Sequence, residues 1–556
     1  MPAMSGSLAE SFDFGTLPSG TRERFILLFA LALIGCEQIT IYAVILISGY
    51  YPGQFYLYDW YLSAIIALFF LLVFASYAAH QKDVVKRFGP AGPLPPEMQP
   101  VCDQMLSKAG LRHVKIRMTS TLLQQDAIAC GFPFSRTVIL GGGLKLVFRK
   151  RPDMFSAIVA HELSHIKNRD VDIGYLSRAI FSALVLFTAS ILAFGMARFL
   201  FELFRNNPLG IAQDFLSYYV RGTQLQPAYN VIWVSNSLIA YLFEFAGLAL
   251  ILILAFINYT TLLRSREHYA DLGGCFIVGS AALASVVGMA SPMRKSLFRR
   301  LLAFHPLPQA RLAVIADPPS LLVPSNWEVA FSGYVFGVIT QNIYAGGFLH
   351  NTGTYTDYLK QAVSGWSSFF ATALPLGLTL IFLLVLGSQN LRSSIAVGFE
   401  RGAGFAPYLL RSAVAAFCMF ASFAAGCILN TSFLSVKLFG NPENLYTVDI
   451  LTFSTLVGAT AIAAFVFGFY FRNLYPISSF RGLSASLRAI FLFLWLYLAV
   501  QLAQLIYALF APDDAGLDVP RVPFALGLMV YIAIIFMLLA LMMALARRRT
   551  RAGAVS

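Results

Sequence analysis

The chain has 556 residues, of which 58% are apolar and 12% are charged, and its mean hydropathy is +0.70. This composition excludes a soluble multidomain protein, a disordered chain and a collagen-like chain. Six cysteines are scattered without a C-x-x-C pair, which argues against a disulfide framework and against a thiolate zinc cluster. The net charge of +13 therefore has to be explained within a membrane protein.

Uncharged stretches of about 20 residues recur along the chain, and each can cross a hydrocarbon core of about 30 Å as a helix. Nine such spans are clear, and a tenth stretch, 329–349, is uncharged but contains Thr340, Gln341 and Asn342. By hydropathy alone this tenth stretch can equally be re-entrant or lie at the surface. The nine predicted spans are 25–49, 60–79, 179–197, 231–259, 366–387, 413–434, 450–471, 489–511 and 522–546.

The distribution of basic residues sets the predicted orientation. With the amino terminus inside and ten spans, 33 of the 40 Lys and Arg residues lie in inside segments and four lie in outside loops. Nine spans would place the basic loops after residue 387 outside, so the positive-inside rule favours ten. We attribute the positive charge to topology and to anionic lipid headgroups, and we expect no nucleic-acid partner.

Two stretches, 81–173 and 260–328, are too polar to lie in lipid and too long to be turns. The first opens with a linker rich in Pro and Gly at 89–97. Alternation at 113–118 and a β-branched run at 136–140 then predict a small sheet with helices. The second stretch is expected to be mostly helical up to its first His-Pro pair.

Residues 161–165 read His-Glu-Leu-Ser-His, an H-E-x-x-H pattern in a helix that is expected to begin near Pro152. His161 and His165 are four residues apart, so both imidazoles project from one helix face and can bind one Zn²⁺. Glu162 would lie beside the open position of the metal, where a carboxylate can take a proton from water. The alternative is a pair of surface histidines on an ordinary amphipathic helix.

A third ligand is needed, because zinc with only two protein ligands would be bound weakly. Glu267 and Asp271 lie four residues apart on one predicted helix face. Glu267 can ligate the ion, while Asp271 can accept the other ring N–H of a metal-bound histidine. Two spans separate Glu267 from His161, so the ligands emerge on the same side of the membrane. His268 is a rival third ligand, and the alternative for Glu267 is a solvated carboxylate beside the membrane.

Three motifs occur in order: H-E-x-x-H at 161–165, E-x-x-A-D at 267–271 and H-P-x-x-x-x-R at 305–311. Together they resemble the HtpX-type and CAAX prenyl protease family of integral-membrane zinc metallopeptidases, which are gluzincins. A fourth stretch, 126–131, is similar to the N-A-F-A-x-G segment of that family, although Asp126 stands where Asn is usual. The likeness covers about residues 20–320, and the last six spans lie outside it.

The resemblance implies a cytoplasm-facing endopeptidase that binds one Zn²⁺ through His161, His165 and Glu267. It also implies that Glu162 is the general base. Zinc with three protein ligands lowers the pKa of bound water from 15.7 toward about 7, which gives a nucleophile at cytoplasmic pH. The expected partners are protein or peptide substrates and the lipid bilayer.

The resemblance further implies that His305 and Arg311 line the site and that an edge strand lies beside the substrate. His305 is a candidate donor to the oxyanion, and a structural His-Pro turn is its alternative. Arg311 can contact the substrate or instead pair with a carboxylate near the zinc. Main-chain pairing along such a strand would give affinity without much sequence preference. The strand residues implied to bind substrate are Ala127, Ile128, Ala129, Cys130 and Gly131.

We therefore predict a mainly α polytopic membrane protein, with about ten transmembrane helices and a small cytoplasmic α+β zincin-like metallopeptidase domain. The active site and both termini are expected on the cytoplasmic side of a bacterial inner or plasma membrane. The predicted segments are an amino-terminal segment 1–24, two spans in 25–80, a peptidase part in 81–173, two spans in 174–259, a second peptidase part in 260–328, a six-span domain in 329–546 and a basic tail in 547–556.

More than one function is compatible with these features. The first is an endopeptidase that cleaves membrane or misfolded proteins in protein quality control. A variant is a CAAX-type processing peptidase, which would need an enclosed apolar chamber for a lipidated terminus. A third is a transport, sensor or scaffold module with a non-catalytic zinc domain. Glu37 and Glu244 lie within predicted spans, where they either line a chamber between helices or lie near an interface.

Overall fold

The protein is described here from a computed structural model. The described residues are 14, 19–48, 58–132, 135–205, 229–289 and 303–350, together with 385, 388–389, 392–393, 396, 414–415, 417–419 and 421–426. The predicted spans 450–471, 489–511 and 522–546 and the tail 547–556 lie outside these residues. Most of the spans 366–387 and 413–434 and of the segment 1–24 also lies outside them.

The described part of the chain is mostly helical and contains one small sheet. Its helices are α1 (Gly20–Ser48), α2 (Tyr58–Phe88), α3 (Gln99–Ala109), α4 (Leu144–Lys150), α5 (Pro152–Lys167), α6 (Asp170–Arg205), α7 (Tyr229–Val278), α8 (Ser280–Gly288), α9 (Pro308–Ala316) and α10 (Asn326–His350), with a 3₁₀ helix at Pro318–Leu322. Its strands are β1 (Ala91–Pro93), β2 (Lys115–Thr119), β3 (Ala127–Cys130) and β4 (Thr137–Leu140).

Three helices of the described part are long and apolar enough to cross a membrane. The stretches concerned are Tyr61–Phe88 in α2, Asp170–Ala197 in α6 and Phe245–Val278 in α7. They support association with a membrane, but they do not amount to the ten predicted spans. The predicted spans 25–49 and 329–349 coincide with helices α1 and α10.

The apolar helices form a bundle in which α1 packs against α2, α6 and α7. Its buried centre includes Leu31 from α1, Phe69 from α2, Leu184 from α6 and Ile251 from α7. Leucine and phenylalanine side chains on the outer faces of α2 and α6 are exposed, as expected where a helix surface meets lipid. The described cysteines, all of them free thiols, are Cys36, Cys102, Cys130, Cys275 and Cys418.

The predicted intramembrane carboxylate Glu37 lies on α1 and is only 5% exposed. Its burial agrees better with a position in the bundle interior than with one near an interface, since a carboxylate at the interface would reach water. Glu244 lies within α7, and the expectation for its side chain falls outside the described part of the chain.

The sheet has the strand order β1-β2-β4-β3, with β2 and β4 parallel and the two outer pairs antiparallel. The predicted sheet is therefore present, and β3 lies at its edge. The structure differs from the sequence-based expectation at 91–93, which we predicted as linker but which forms β1. Pro93 is compatible with that strand because an edge position does not require its missing N–H.

Helix α5 covers the sheet and positions the H-E-x-x-H motif. Proline at its first position forfeits no hydrogen bond, so the helix begins at Pro152 as predicted. Phe155, Val159 and Leu163 are buried with Val138 of the sheet, at the spacing of one helix face. The motif histidines are thereby held on the rest of the helix circumference, towards α7.

Helix α7 brings the second part of the motif set to α5. It runs without a break over 50 residues, or about 75 Å, so one helix contains both the apolar stretch and Glu267. Gly273 lies where α7 crosses α5, and a Cβ atom there would overlap the Oγ atom of Ser164. The glycine therefore allows the close approach of the two helices that places Glu267 beside the histidines.

Candidate metal centre

A cluster of two imidazoles and one carboxylate lies between α5 and α7. His161, His165 and Glu267 each offer one ligand atom, and these atoms lie within 4.8 Å of one another. The Nε2 atom of His161 is 3.4 Å from Oε2 of Glu267, and Nε2 of His165 is 3.6 Å from Oε1. Within the described residues, His268 does not belong to this cluster.

These distances fit a small divalent ion. Ligand atoms about 2.1 Å from a tetrahedral zinc ion are about 3.4 Å from one another. The two nitrogen-to-oxygen separations of 3.4 and 3.6 Å match that spacing. Imidazole nitrogen and carboxylate oxygen are also donors that zinc accepts in proteins. The described residues can therefore hold a metal ion where the sequence placed one.

Each histidine of the cluster turns its second ring nitrogen to an aspartate. Nδ1 of His161 is 3.0 Å from Oδ1 of Asp271, and Nδ1 of His165 is 2.9 Å from Oδ1 of Asp170. Such partners fix the tautomer and the ring orientation of a ligating histidine. Asp271 lies where this role was expected, whereas no role was assigned to Asp170 from the sequence. Its signal was its position five residues after His165, at the start of α6.

Arginine side chains neutralise the buried carboxylates around the cluster. Arg311 donates to both oxygens of Asp271, with distances of 2.7 Å from Nε and 2.5 Å from Nη2. The side chain of Asp271 is fully buried, so it needs this countercharge. Of the two roles considered for Arg311, the geometry favours pairing over substrate contact. Arg266, which the sequence analysis missed, has Nη2 3.7 Å from Oε1 of Glu267.

The charges around His161 favour its protonated form when no ion is bound. Burial alone would lower the pKa of His161, but hydrogen bonds to Asp271 and Glu267 outweigh it and raise the pKa to about 10. A protonated imidazole has no lone pair for a metal, so an incoming ion has to displace this proton. The same two carboxylates that hold the proton would then stabilise the ion and its ligand.

Glu162 lies between the cluster and the sheet edge. Its Oε2 atom accepts a hydrogen bond of 2.7 Å from the main-chain N–H of Ala129 in β3. The carboxylate is therefore held beside the strand along which we expect a substrate to lie. The remaining predicted strand residues Ala127, Ile128 and Cys130 are in β3, and Gly131 follows it with a φ of 100°.

His305 approaches the cluster from the segment before α9. Its Nδ1 atom is 3.7 Å from Oε2 of Glu267, and its side chain is 79% exposed. The ring is thus near the carboxylate of the cluster and is also open to solvent. This position allows contact with a bound molecule, and it does not require a purely structural His-Pro turn.

Two histidines on one helix, a carboxylate from a second helix and a separate glutamate define a site of the H-E-x-x-H metallopeptidase class. Residues 95–318 match the family model described as peptidase family M48. This segment is therefore a peptidase family M48 domain, which confirms the resemblance drawn from the motifs and implies a metallopeptidase. A comparison with curated proteins and one with solved structures each found no match.

Proposed function

We propose that the protein is a zinc-dependent endopeptidase of the HtpX type that hydrolyses membrane or misfolded proteins at the cytoplasmic face, in protein quality control. The observation that supports this most directly is the buried cluster of His161, His165 and Glu267 beside Glu162. A metal site without catalysis would not require a further carboxylate held next to a strand edge.

The proposed chemistry assigns a separate task to each side chain. His161, His165 and Glu267 would hold the ion, and a bound zinc ion would supply Lewis acidity to a water molecule and to the scissile carbonyl. Glu162 accepts a proton from the attacking water and gives it to the leaving amine as the C–N bond breaks. His305 donates a hydrogen bond to the oxyanion that forms when water adds to the carbonyl.

The proposed substrates follow from the surroundings of the site. The edge strand β3 presents main-chain groups to an extended peptide, and these give affinity with little dependence on the substrate sequence. The apolar helices α2, α6 and α7 keep the domain next to a bilayer. Both features support unfolded or membrane-inserted proteins as substrates, because their chains are extended and close to the membrane.

The decisive test is metal-dependent proteolysis by the purified full chain. We expect about one zinc ion per chain and cleavage of an unlipidated, unfolded membrane protein. A chelator should remove both the ion and the activity, and added zinc should restore them, because the ligands remain in place. Cleavage that requires prenylation of the substrate would instead indicate a CAAX-type processing peptidase. Zinc binding without any cleavage would contradict the proposed activity.

Replacing Asp271 by asparagine should weaken zinc binding about 10- to 100-fold, because Asp271 holds a ligating histidine and is itself paired with Arg311. Competition with a zinc-chelating dye would measure the dissociation constant. Asp153→Asn is the matched control, since this aspartate is exposed at the start of α5. An unchanged dissociation constant in Asp271→Asn would remove Asp271 from this role.

The proposed topology has ten spans, with both termini and the metal centre on the cytoplasmic side of a bacterial membrane. It rests on the distribution of basic residues along the sequence. A reporter fused near Lys360 should therefore report an external location, because this residue follows the tenth span. A cytoplasmic signal from that fusion would exclude the span at 329–349.

A further inference from the structure

The register of β3 determines which of its main-chain groups are available for pairing. The C=O of Asp126 accepts a hydrogen bond of 2.8 Å from the N–H of Gly141, just beyond the end of β4. Antiparallel pairing alternates along a strand, so Ile128 and the residue two further on also bond to β4. The main-chain groups of Ala127, Ala129 and Gly131 therefore point away from the sheet.

Two of these outward N–H groups are bonded to side chains. The N–H of Ala129 donates to Glu162, and the N–H of Gly131 donates to Oε1 of Gln81 over 3.1 Å. The C=O of Gly131 accepts a hydrogen bond from Nη1 of Arg136. Both main-chain groups of Gly131 are thus engaged, and an added strand cannot pair with that residue in this state.

Gln81 is held firmly in its position. It lies on α2, near the end of the helix that meets the peptidase domain, and it is only 3% exposed. One turn earlier, Tyr77 donates a hydrogen bond of 2.8 Å to Asp172 of α6. Asp172 in turn forms an ion pair with Arg136. These contacts connect two apolar helices to the end of the edge strand, so Gln81 cannot easily move aside.

We propose that Gln81 ends the substrate-binding edge and so determines how long a stretch of extended peptide can pair with it. Its amide oxygen occupies the place that a substrate carbonyl would take at Gly131. Pairing is thereby restricted to Ala127 and Ala129. This inference rests on the proposed function, since it concerns the peptide that the site would cleave.

The test measures how affinity depends on peptide length in a protein that does not cleave. Fluorescent peptides, extended two residues at a time from either end, are titrated into zinc-loaded full-chain Glu162→Gln, with and without Gln81→Ala. With Gln81 present, we expect affinity to reach a plateau in one direction of extension. In Gln81→Ala, the next extension in that direction should strengthen binding about fivefold, the value of one ordinary hydrogen bond.

The same dependence on length in both proteins, or no binding of any peptide to either, would overturn the inference. A loss of stability alone would not produce an effect confined to one direction of extension. Lys82→Ala is the control, because this residue is the exposed neighbour of Gln81 on α2. Gln81→Ser is the second variant if alanine prevents folding. Peptide binding without cleavage by the unaltered protein would contradict the proposed function and leave this inference standing.

Discussion

Replacing Glu162 by glutamine should abolish nearly all cleavage while the protein keeps its zinc. An amide cannot accept the proton of the attacking water, and loss of general base catalysis costs on the order of a thousandfold in rate. The ligand set of His161, His165 and Glu267 does not include this residue. Glutamine can still accept the N–H of Ala129 through its amide oxygen, so the side chain should keep its orientation.

The measurement combines kcat on an unfolded membrane substrate with the zinc content of the same preparation. Glu97→Gln is the matched control, because that carboxylate is 43% exposed and lies on the same domain. We expect it to retain the rate of the unaltered protein to within about twofold, as is usual for an exposed surface substitution. Cleavage by Glu162→Gln at a comparable rate would remove this residue from the mechanism.

Replacing Arg392 by alanine should cost about 3–5 kcal/mol of stability, because it would leave two carboxylates buried without their shared countercharge. The side chain of Arg392 is only 2% exposed, and its Nη1 atom lies 2.7 Å from Glu23 and 2.9 Å from Glu328. Arg24 completes this cluster at 3.0 Å from Glu328. The loss would exceed that of a surface ion pair, since water cannot replace the guanidinium in a buried position.

The pKa values of the two carboxylates show how much the cluster depends on its arginines. Burial raises the pKa of Glu23 to about 7, in spite of the charge of Arg392. At Glu328, burial also acts to raise the pKa, but Arg24 and Arg392 outweigh it and lower the pKa to about 2. The charge of Glu328 is therefore maintained by its two guanidinium partners.

Thermal unfolding in detergent, followed by loss of helical signal, would measure the effect of Arg392→Ala. Arg149→Ala is the control, because this arginine is 59% exposed and only 3.4 Å from an exposed glutamate. It should change the free energy of unfolding by less than about 1 kcal/mol. Similar transitions for the two variants would mean that the buried cluster contributes no more than a surface pair. Arg392 lies outside the segment that matches the peptidase family, so the cluster joins that segment to later parts of the chain.

Local sequence patterns predicted the elements that depend on short-range periodicity. The spacing of His161 and His165 and the proline before them indicated a helix with both rings on one face, and α5 has this form. Alternating and β-branched runs indicated a small sheet at 113–118 and 136–140, where β2 and β4 occur. A repeat of two or 3.6 residues is visible in any short window, which is why these features could be recognised.

Contacts between distant parts of the chain could not be predicted in the same way. The bond from Gln81 to Gly131 spans 50 residues, and the ion pair of Arg392 with Glu23 spans 369. The strand β1 was also missed, because a three-residue run with Gly and Pro has no strand signature by itself. It forms only because β2 offers a partner edge.

The sequence by itself determined the chemistry of the protein: a motif set with the right donors in the right order, on a chain too apolar for a soluble fold. Only the tertiary structure decided how those donors are arranged, namely that Arg311 pairs with Asp271, that Asp170 orients His165 and that Glu162 meets the sheet edge. The physical reason is that residue identity sets what a group can bind. The packing of α5 against α7 and β3 sets which groups come within bonding distance.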